Sequence, residues 1–224
     1  MPKLLYLKWK SCSVIETKDI DFICVEDEFE NSIIKAKKIY LEGGVFVYPT
    51  DTIYGLGANP FNEEALEKVN SIKGRQEGKN YILLIDSIDT LSKYVELNSE
   101  KHLDFLQSIW PNPVSVVLNL NKRTSSVLQI DTAAFRIPNH RFCQKLAAEL
   151  HMPIISTSVN KTGLPPVNHP EIIKQEFSSE VSGIFYSNKR YFDKVSTLID
   201  LTGNDLVLLR EGKVKFDELT EKYK

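Results

Sequence analysis

The sequence predicts one α/β domain built on a twisted, open, mixed sheet with flanking helices. Short apolar runs at residues 45–48, 81–85 and 114–120 have the length and continuity of strands that are buried on both faces of a sheet. Longer stretches between such runs repeat apolar side chains every three or four positions, which is typical of amphipathic helices that cover a sheet. Strands that alternate with helices in this way indicate an α/β architecture.

The composition is that of an ordinary globular protein, with 42% hydrophobic and 26% charged residues among 224, so we expect a single domain over residues 1–224. Its core should span about residues 28–215, and residues 1–27 should form an N-terminal extension or edge strands. The formal net charge of −2 excludes an overall field that would draw the molecule to nucleic acid or to an anionic membrane. Any anion site must therefore be local.

Three features indicate a cytoplasmic protein. No apolar run approaches the roughly 18 residues of a membrane span. The N-terminus lacks a signal pattern, because Lys8 and Lys10 follow the apolar residues 4–7 directly. The three cysteines show neither a disulfide framework nor metal-ligand spacing, as expected in a reducing compartment.

Helices are predicted where apolar side chains recur at helical spacing. The first begins near residue 27, ends at Gly43-Gly44, and packs through Phe29, Ile33, Ile34, Ala36 and Ile39. Asn62, Ser87 and Asn139 are expected to cap three further helices. Two more helices are predicted over residues 99–109 and 171–177.

Strands are predicted from short apolar runs bounded by turn residues. They cover residues 4–7 and 20–25 at a sheet edge, 45–48, 81–85, 114–120, 135–137, 153–155, 183–186, 197–200 and 206–209. The polar segment after Arg210 is expected to pack little.

The segment from Pro49 to Asn59 is the first candidate for chemistry. It follows a buried strand directly and brings two hydroxyls, Thr50 and Thr52, to the point where the chain leaves the sheet. Gly55 and Gly57 would let the backbone pass close to a ligand. Ligands of open α/β sheets bind outside the carboxyl ends of strands, so this loop is a natural ligand site.

Several other strand ends carry hydroxyl, amide or basic side chains, which suggests that they converge on one cleft. They are Lys73-x-Arg75-x-x-x-Lys79, Ser115, Arg136, Ser156-Thr-Ser158-Val-Asn160, Ser196 and Arg210. Arginine offers a planar fork to carboxylate or phosphate, and lysine offers a mobile point charge. With few carboxylates nearby, such a positively lined cavity would hold an anion.

The common nucleotide and catalytic signatures are absent from the sequence. There is no G-x-x-x-x-G-K-[ST] segment, and Pro60 stands where a dinucleotide fingerprint after Gly55 needs its third glycine. Ser156 and Ser158 lack the glycines of a nucleophile elbow. The four histidines have no metal-ligand spacing, so no protein metal site is expected. The residues alone predict an α/β protein that binds a polyanion, such as a nucleotide, in an unorthodox way.

The ordered set of segments resembles the YrdC-type threonylcarbamoyl-AMP synthase family, in the short form without the extra C-terminal domain. The segments are Pro49-Thr-Asp-Thr-Ile-Tyr-Gly-Leu-Gly-Ala-Asn59, Lys73-Gly-Arg75, Trp110-Pro-Asn-Pro-Val-Ser115, Arg136-Ile-Pro138, Ser156-Thr-Ser-Val-Asn160, Ser196-Thr-Leu-Ile-Asp200 and Leu209-Arg210-Glu-Gly212. The resemblance implies a YrdC-like fold around a positively lined cavity.

The resemblance also implies an activity and its partners. The enzyme would join L-threonine, bicarbonate or CO2, and ATP with Mg²⁺ into threonylcarbamoyl-adenylate and pyrophosphate, as a nucleotidyltransferase. Other proteins of the tRNA modification pathway would then transfer the threonylcarbamoyl group to tRNA, to give threonylcarbamoyladenosine. Direct RNA binding is a weaker expectation, and no membrane partner is expected.

Site residues follow from the same resemblance. Lys73 and Arg75 would be catalytic, through contacts to phosphates and developing charge. The residues expected at L-threonine are Thr52, Tyr54, Arg136 and Ser196. The residues expected at the nucleotide are Lys79, Ser115, Ser158, Asn160 and Arg210.

The sequence departs from the family pattern at a few positions. Gln76 replaces a proline, Asn80-Tyr81 replaces Pro-Leu, Leu84 stands where a histidine is frequent, and Glu211 replaces a proline. The segment Gly78-Lys-Asn-Tyr81 is similar to YciO-type paralogues. Two alternatives therefore stand beside the synthase: a YciO-type paralogue, and a non-catalytic module that binds RNA or nucleotide.

Overall fold

A computed structural model describes residues 20–74, 81–97, 99–189 and 194–224. The strand expected near residues 4–7 lies outside these ranges. So do two candidate site residues, Arg75 and Lys79, together with Gln76 and Asn80.

The described residues form ten strands that join into one sheet. In chain order they are β1 (Asp21–Cys24), β2 (Phe46–Tyr48), β3 (Gly55–Gly57), β4 (Ile82–Leu84), β5 (Val114–Asn119), β6 (Thr132–Arg136), β7 (Ile154–Ser158), β8 (Gly183–Tyr186), β9 (Thr197–Asp200) and β10 (Val207–Arg210). The sheet order is β1-β8-β2-β3-β7-β4-β6-β5-β9-β10. The pairs β1–β8, β2–β8, β4–β6 and β5–β9 are parallel and the other five are antiparallel, so the predicted mixed α/β sheet is confirmed.

Helices cover both faces of this sheet. Those in the described ranges are α1 (Phe29–Leu41), α2 (Glu63–Lys73), α3 (Ile88–Leu91), α4 (Glu100–Ile109), α5 (Lys122–Leu128), α6 (Arg141–Leu150), α7 (Pro170–Phe177) and α8 (Phe216–Tyr223). The predicted caps of α2 and α3 are confirmed: Asn62 accepts a hydrogen bond from the Ala65 N–H, and Ser87 accepts one from the Thr90 N–H. Gly43 takes φ of +70° just beyond α1, as a helix-terminating glycine does.

Five details of the sequence prediction were wrong or incomplete. Asn139 does not cap α6, because His140 occupies the cap position and the backbone N–H of Asn139 donates to Asp51 instead. Ile34 is 65% exposed, because it lies on the outer side of α1. The helix α5, capped by Asn121, was not predicted.

The other two errors concern segments that were expected to be irregular. Gly55–Gly57 is a strand rather than an open loop, since these glycines pair with β2 and β7. The segment after Arg210 is not a loose tail, because it forms α8 and buries Leu219 to 1% exposure.

The two faces of the sheet carry different apolar clusters, since alternate residues of a strand point in opposite directions. In β2, Phe46 and Tyr48 pack in a cluster with α1 and α6, whereas Val47 belongs to a larger cluster with α2, α4 and α8. The face of the sheet that carries Phe46 and Tyr48 is called the cavity face. On β4, Leu84 joins the α1–α6 cluster, so Ile82, two positions earlier, also lies on the cavity face.

Candidate functional site

A cavity of about 420 Å³ lies on the cavity face. The strand registers bring Ile82, Ala134 and Val117 into one row across β4, β6 and β5, and all three line the cavity. The complete lining is Thr52, Ile53, Tyr54, Gly55, Tyr81, Ile82, Val117, Ala134, Arg136, Ser156, Thr157, Ser158, Val195, Ser196, Leu198, Leu209 and Arg210. The cavity takes residues from the ends of β6, β7 and β10 and from the segment after β2, as expected. It also extends over residues within strands, such as Val117 and Ala134.

Arg136 projects from the end of β6 and is bound to the segment after β2. Its Nη1 donates to Thr52 Oγ1 at 3.2 Å, and its Nη2 lies 3.5 Å from Asp51 Oδ1. Thr50 fixes the same hydroxyl, since the Oγ1 atoms of Thr50 and Thr52 are 2.9 Å apart. The first candidate segment and β6 thus form one continuous polar network.

Arg136 and Asp51 are a buried ion pair, with side chains 3% and 6% exposed. Within the described residues, Nε of Arg136 and Oδ1 of Asp51 are buried without a hydrogen bond. Buried polar atoms normally have partners, so an unpartnered guanidinium N–H beside a polar cavity is suited to bind an anionic ligand.

A second arginine, Arg210, also lines the cavity. Arg210 on β10 donates from Nη2 to Ser196 O at 3.0 Å and to Ser196 Oγ at 3.3 Å. The Ser196 hydroxyl also shares a hydrogen bond of 2.9 Å with the buried Ser115 hydroxyl. Burial and the nearby charge of Arg136 lower the pKa of Arg210, which indicates that the two guanidinium groups share one partly desolvated space.

Lys73 is the last residue of α2 and is 4% exposed. Its ammonium donates to Ser158 O at 2.8 Å and to Asn160 Oδ1 at 2.5 Å, while Ser158 Oγ donates to the same Asn160 oxygen at 2.6 Å. This network joins the end of β7 to the last residue of α2. Ser158 lies in the cavity wall, and Lys73 and Asn160 lie behind it.

Tyr54 is held from two sides. Its backbone N–H donates to Asn168 Oδ1 at 3.2 Å, and its hydroxyl accepts from the Ser187 N–H at 3.0 Å. The residue is 2% exposed and lines the cavity.

The structure brings most of the predicted site residues together. Six line the cavity: Thr52, Tyr54, Arg136, Ser158, Ser196 and Arg210. Ser115, Lys73 and Asn160 contact them from behind. Arg75 and Lys79 lie outside the described residues.

Sequence reasoning missed three contributors. Asp51 was treated as a turn residue, although an arginine at the end of a buried strand signals the need for a carboxylate partner. Lys213, in the segment expected to pack little, donates from Nζ to Asp51 O at 3.1 Å. Asn168 lies in a Pro/Asn/His loop that carries no chemical signature in the sequence.

The Mg²⁺ expected from the sequence would accompany ATP, so it would not need a cluster of protein ligands. Across the described ranges, His, Cys, Asp and Glu do not gather in groups of three or more that could hold a metal ion. The oxygens at the cavity are mostly hydroxyls, and Mg²⁺ in nucleotide sites keeps several waters and binds substrate phosphates. The same described ranges contain no helix long and apolar enough to cross a membrane.

The fold and cavity define an α/β protein in which two arginines line one cavity on a face of a mixed sheet. Residues 38–212 match the Sua5/YciO/YrdC family model, whose description is "telomere recombination". The chain belongs to this family.

Its relatives include a threonylcarbamoyl-AMP synthase of Pseudoalteromonas translucida, which is 34% identical over 157 residues, covering 68% of this chain and 83% of that protein. A P. abyssi Sua5 structure in complex with L-threonine superposes with a TM-score of 0.79 and 30% identity, over 86% of this chain and 57% of that one. E. coli YciO also has a TM-score of 0.79, with 28% identity, over 89% of this chain and 98% of that one.

Proposed function

We propose that this protein is a threonylcarbamoyl-AMP synthase, a nucleotidyltransferase that acts on L-threonine, bicarbonate or CO2, and ATP. The observation that carries the proposal is the cavity between Arg136 and Arg210, with the hydroxyls of Thr52 and Ser196 beside them. Two relatives support it: one is itself a threonylcarbamoyl-AMP synthase, and the other was crystallised with L-threonine.

In this reaction the nucleophile comes from a substrate, so no serine or cysteine of the protein needs to be activated. The amine of threonine and CO2 form a carbamate, and the carbamate oxygen attacks the α-phosphorus of ATP. The bond from that phosphorus to the bridging oxygen breaks, and pyrophosphate leaves with the electron pair. The tasks left to the protein are to align two anions and to neutralise the leaving group.

The residues of this chain suit those tasks. Arg136 would bind the threonine carboxylate, with Thr52 and Ser196 as hydroxyl partners and Tyr54 as a wall. Arg210 would stabilise phosphate charge across the cavity. Lys73, with Arg75 and Lys79 of the following segment, would hold the leaving pyrophosphate, while Ser115, Ser158 and Asn160 would fix the nucleotide.

Mg²⁺ would arrive with ATP and share the phosphate charge. The adenylate product is a mixed anhydride, so a threonylcarbamoyl-transferring protein of the tRNA modification pathway must consume it. We place these steps in the cytoplasm.

Pyrophosphate release tests the proposal. The purified protein is incubated with ATP, Mg²⁺ and bicarbonate, and with L-threonine, L-serine or no amino acid. Release that depends on L-threonine is expected. ATP binding without threonine-dependent release would contradict the proposal and favour a YciO-type role, which the 98% coverage of E. coli YciO makes the second candidate.

A further inference from the structure

The loop between β7 and α7, residues 161–169, is bonded to the network of Lys73 and Asn160. The Thr162 N–H donates to Lys73 O at 2.8 Å, and Asn160 Nδ2 donates to Leu164 O. The Val167 N–H closes the loop onto Val159 O at 2.8 Å. One end of this loop is therefore fixed beside the residues proposed to hold the nucleotide.

The other end of the loop contacts Tyr54, which lines the cavity. Asn168 Oδ1 accepts the backbone N–H of Tyr54 at 3.2 Å. Tyr54 precedes β3, whose pairing with β2 and β7 begins at Gly55. A side chain from another part of the chain thus fixes this peptide group just before the sheet begins.

Tyr54 lies two residues after Thr52, whose Oγ1 accepts the hydrogen bond from Arg136. A shift of the Tyr54 peptide would move this hydroxyl relative to the guanidinium. Small displacements of positioning groups are costly, since a misplacement of about 1 Å can lower a rate by about a hundredfold.

We propose that Asn168 is a positioning residue for the L-threonine part of the site. It sets the backbone of Tyr54, and through it the position of Thr52, without touching the substrate. This inference rests on the proposed function, because it assigns L-threonine to that end of the cavity.

Three variants test the role. Asn168→Ala removes the acceptor oxygen, Asn168→Asp keeps an oxygen in the same place, and His169→Ala alters the adjacent exposed residue, whose side chain makes no cap bond to α7. Equilibrium binding of L-threonine and of ATP is measured separately for each protein by calorimetry, with a thermal melt of each variant.

Asn168→Ala is expected to weaken L-threonine binding by roughly five- to twentyfold, the effect of losing one partly buried hydrogen bond, and to leave ATP affinity within about twofold. Asn168→Asp is expected to restore threonine binding to within about threefold of wild type, and His169→Ala to leave both ligands unchanged. A merely structural role would weaken both ligands together.

The proposal is overturned if Asn168→Ala binds L-threonine as wild type does, if both ligands weaken equally, or if Asn168→Asp is as weak as Asn168→Ala. These outcomes leave the proposed function standing, since they concern one side chain. A wild-type protein that binds ATP but no L-threonine would remove both proposals.

Discussion

Arg136 is the residue on which the geometry of the candidate site depends most directly. Its guanidinium joins Thr52 and Asp51 and retains one buried N–H without a hydrogen bond among the described residues. A buried charge is tolerable only if it is paired, and removal of one partner leaves the other uncompensated. Asp51 therefore has a structural task that its neighbours Thr50 and Thr52, as neutral hydroxyls, cannot perform.

Replacement of that partner tests the argument. Asp51→Asn keeps the shape and an acceptor for the Asn139 N–H but removes the negative charge, so the free energy of unfolding should fall by about 3 kcal/mol. Urea denaturation measures this. The control is Glu42→Gln, because the Lys38–Glu42 pair is 71% and 64% exposed and should contribute less than about 0.5 kcal/mol. Equal losses in both variants would show that Asp51 does not compensate Arg136.

Among the elements, β3 shows why two glycines stand in the first candidate segment. A Cβ atom on Gly57 would lie 2.7 Å from two ring atoms of Phe46, which is itself fully buried between α1, α6 and the sheet. This close approach occurs where the three-residue strands β2 and β3 pair side by side. At Gly57, glycine is thus required for packing on Phe46, whereas Gly55 lines the cavity.

Gly57→Ala should accordingly destabilise the protein by about 2 kcal/mol, since extra volume in a packed core forces neighbours to move. Gly203→Ala is the matched control, because nothing lies within 4 Å of its added Cβ. Thermal unfolding compares the two variants. If Gly57→Ala unfolds at the temperature of wild type, the tight contact with Phe46 is not a constraint.

His140, at the start of α6, should make the stability of the protein depend on pH. Burial lowers the pKa of His140 to about 4; Asp51 and Glu26 oppose this shift, while Lys189 and Arg136 add to it. At pH values between about 6.5, the pKa of an unfolded histidine, and about 4, His140 is protonated in the unfolded chain but neutral in the folded protein. Stability should therefore fall by about 3 kcal/mol as the pH drops through this window, and this loss is absent above it.

The variant His140→Gln isolates that contribution. Its unfolding free energy, measured in urea from pH 7.5 to 4.5, should decline less steeply than that of wild type. His169→Gln, at an exposed position, should follow the wild-type curve. Parallel curves for wild type and His140→Gln would assign the acid sensitivity to other groups.

At the scale of the whole molecule, the C-terminal segment is hydrogen-bonded to β9 and packs against the core. Thr197 Oγ1 accepts the N–H groups of Gly212 and Val214 at 3.0 and 3.1 Å. Leu219 of α8 is 1% exposed, and Tyr223 packs edge-on against Phe105 of α4. The segment after Arg210 is thus part of the core and also reaches the site through Lys213.

Leu219→Ala should cost about 3 kcal/mol of unfolding free energy, as other large-to-small core substitutions do. Leu41→Ala, at a position that is 60% exposed, should change it by less than about 0.5 kcal/mol. Chemical denaturation separates the two. A loss below 1 kcal/mol for Leu219→Ala would mean that α8 is only loosely attached.

Local patterns in the sequence predicted the elements, because caps such as Asn62 and apolar runs such as residues 114–120 depend on neighbouring residues. The order of the ten strands depends on contacts between distant segments, so only the mixed character of the sheet was predictable. Side chains two positions apart on a strand share a face, so the alternation along β5, β6 and β7 and their registers place Ser115, Arg136, Ser156 and Ser158 on one face. Asp51 and Asn168 escaped prediction because their partners, Arg136 and Tyr54, lie 85 and 114 positions away in the chain. In their local sequence, both residues are typical of ordinary loops.

The central claim, that this cavity makes an adenylate from L-threonine, is tested most directly by the product itself. The protein is incubated with ATP, Mg²⁺, L-threonine and ¹³C-bicarbonate, and the mixture is analysed at once by mass spectrometry. We predict a threonylcarbamoyl-adenylate that carries the label of one ¹³C atom and disappears when L-threonine is omitted. ATP binding without any labelled adenylate would contradict the account.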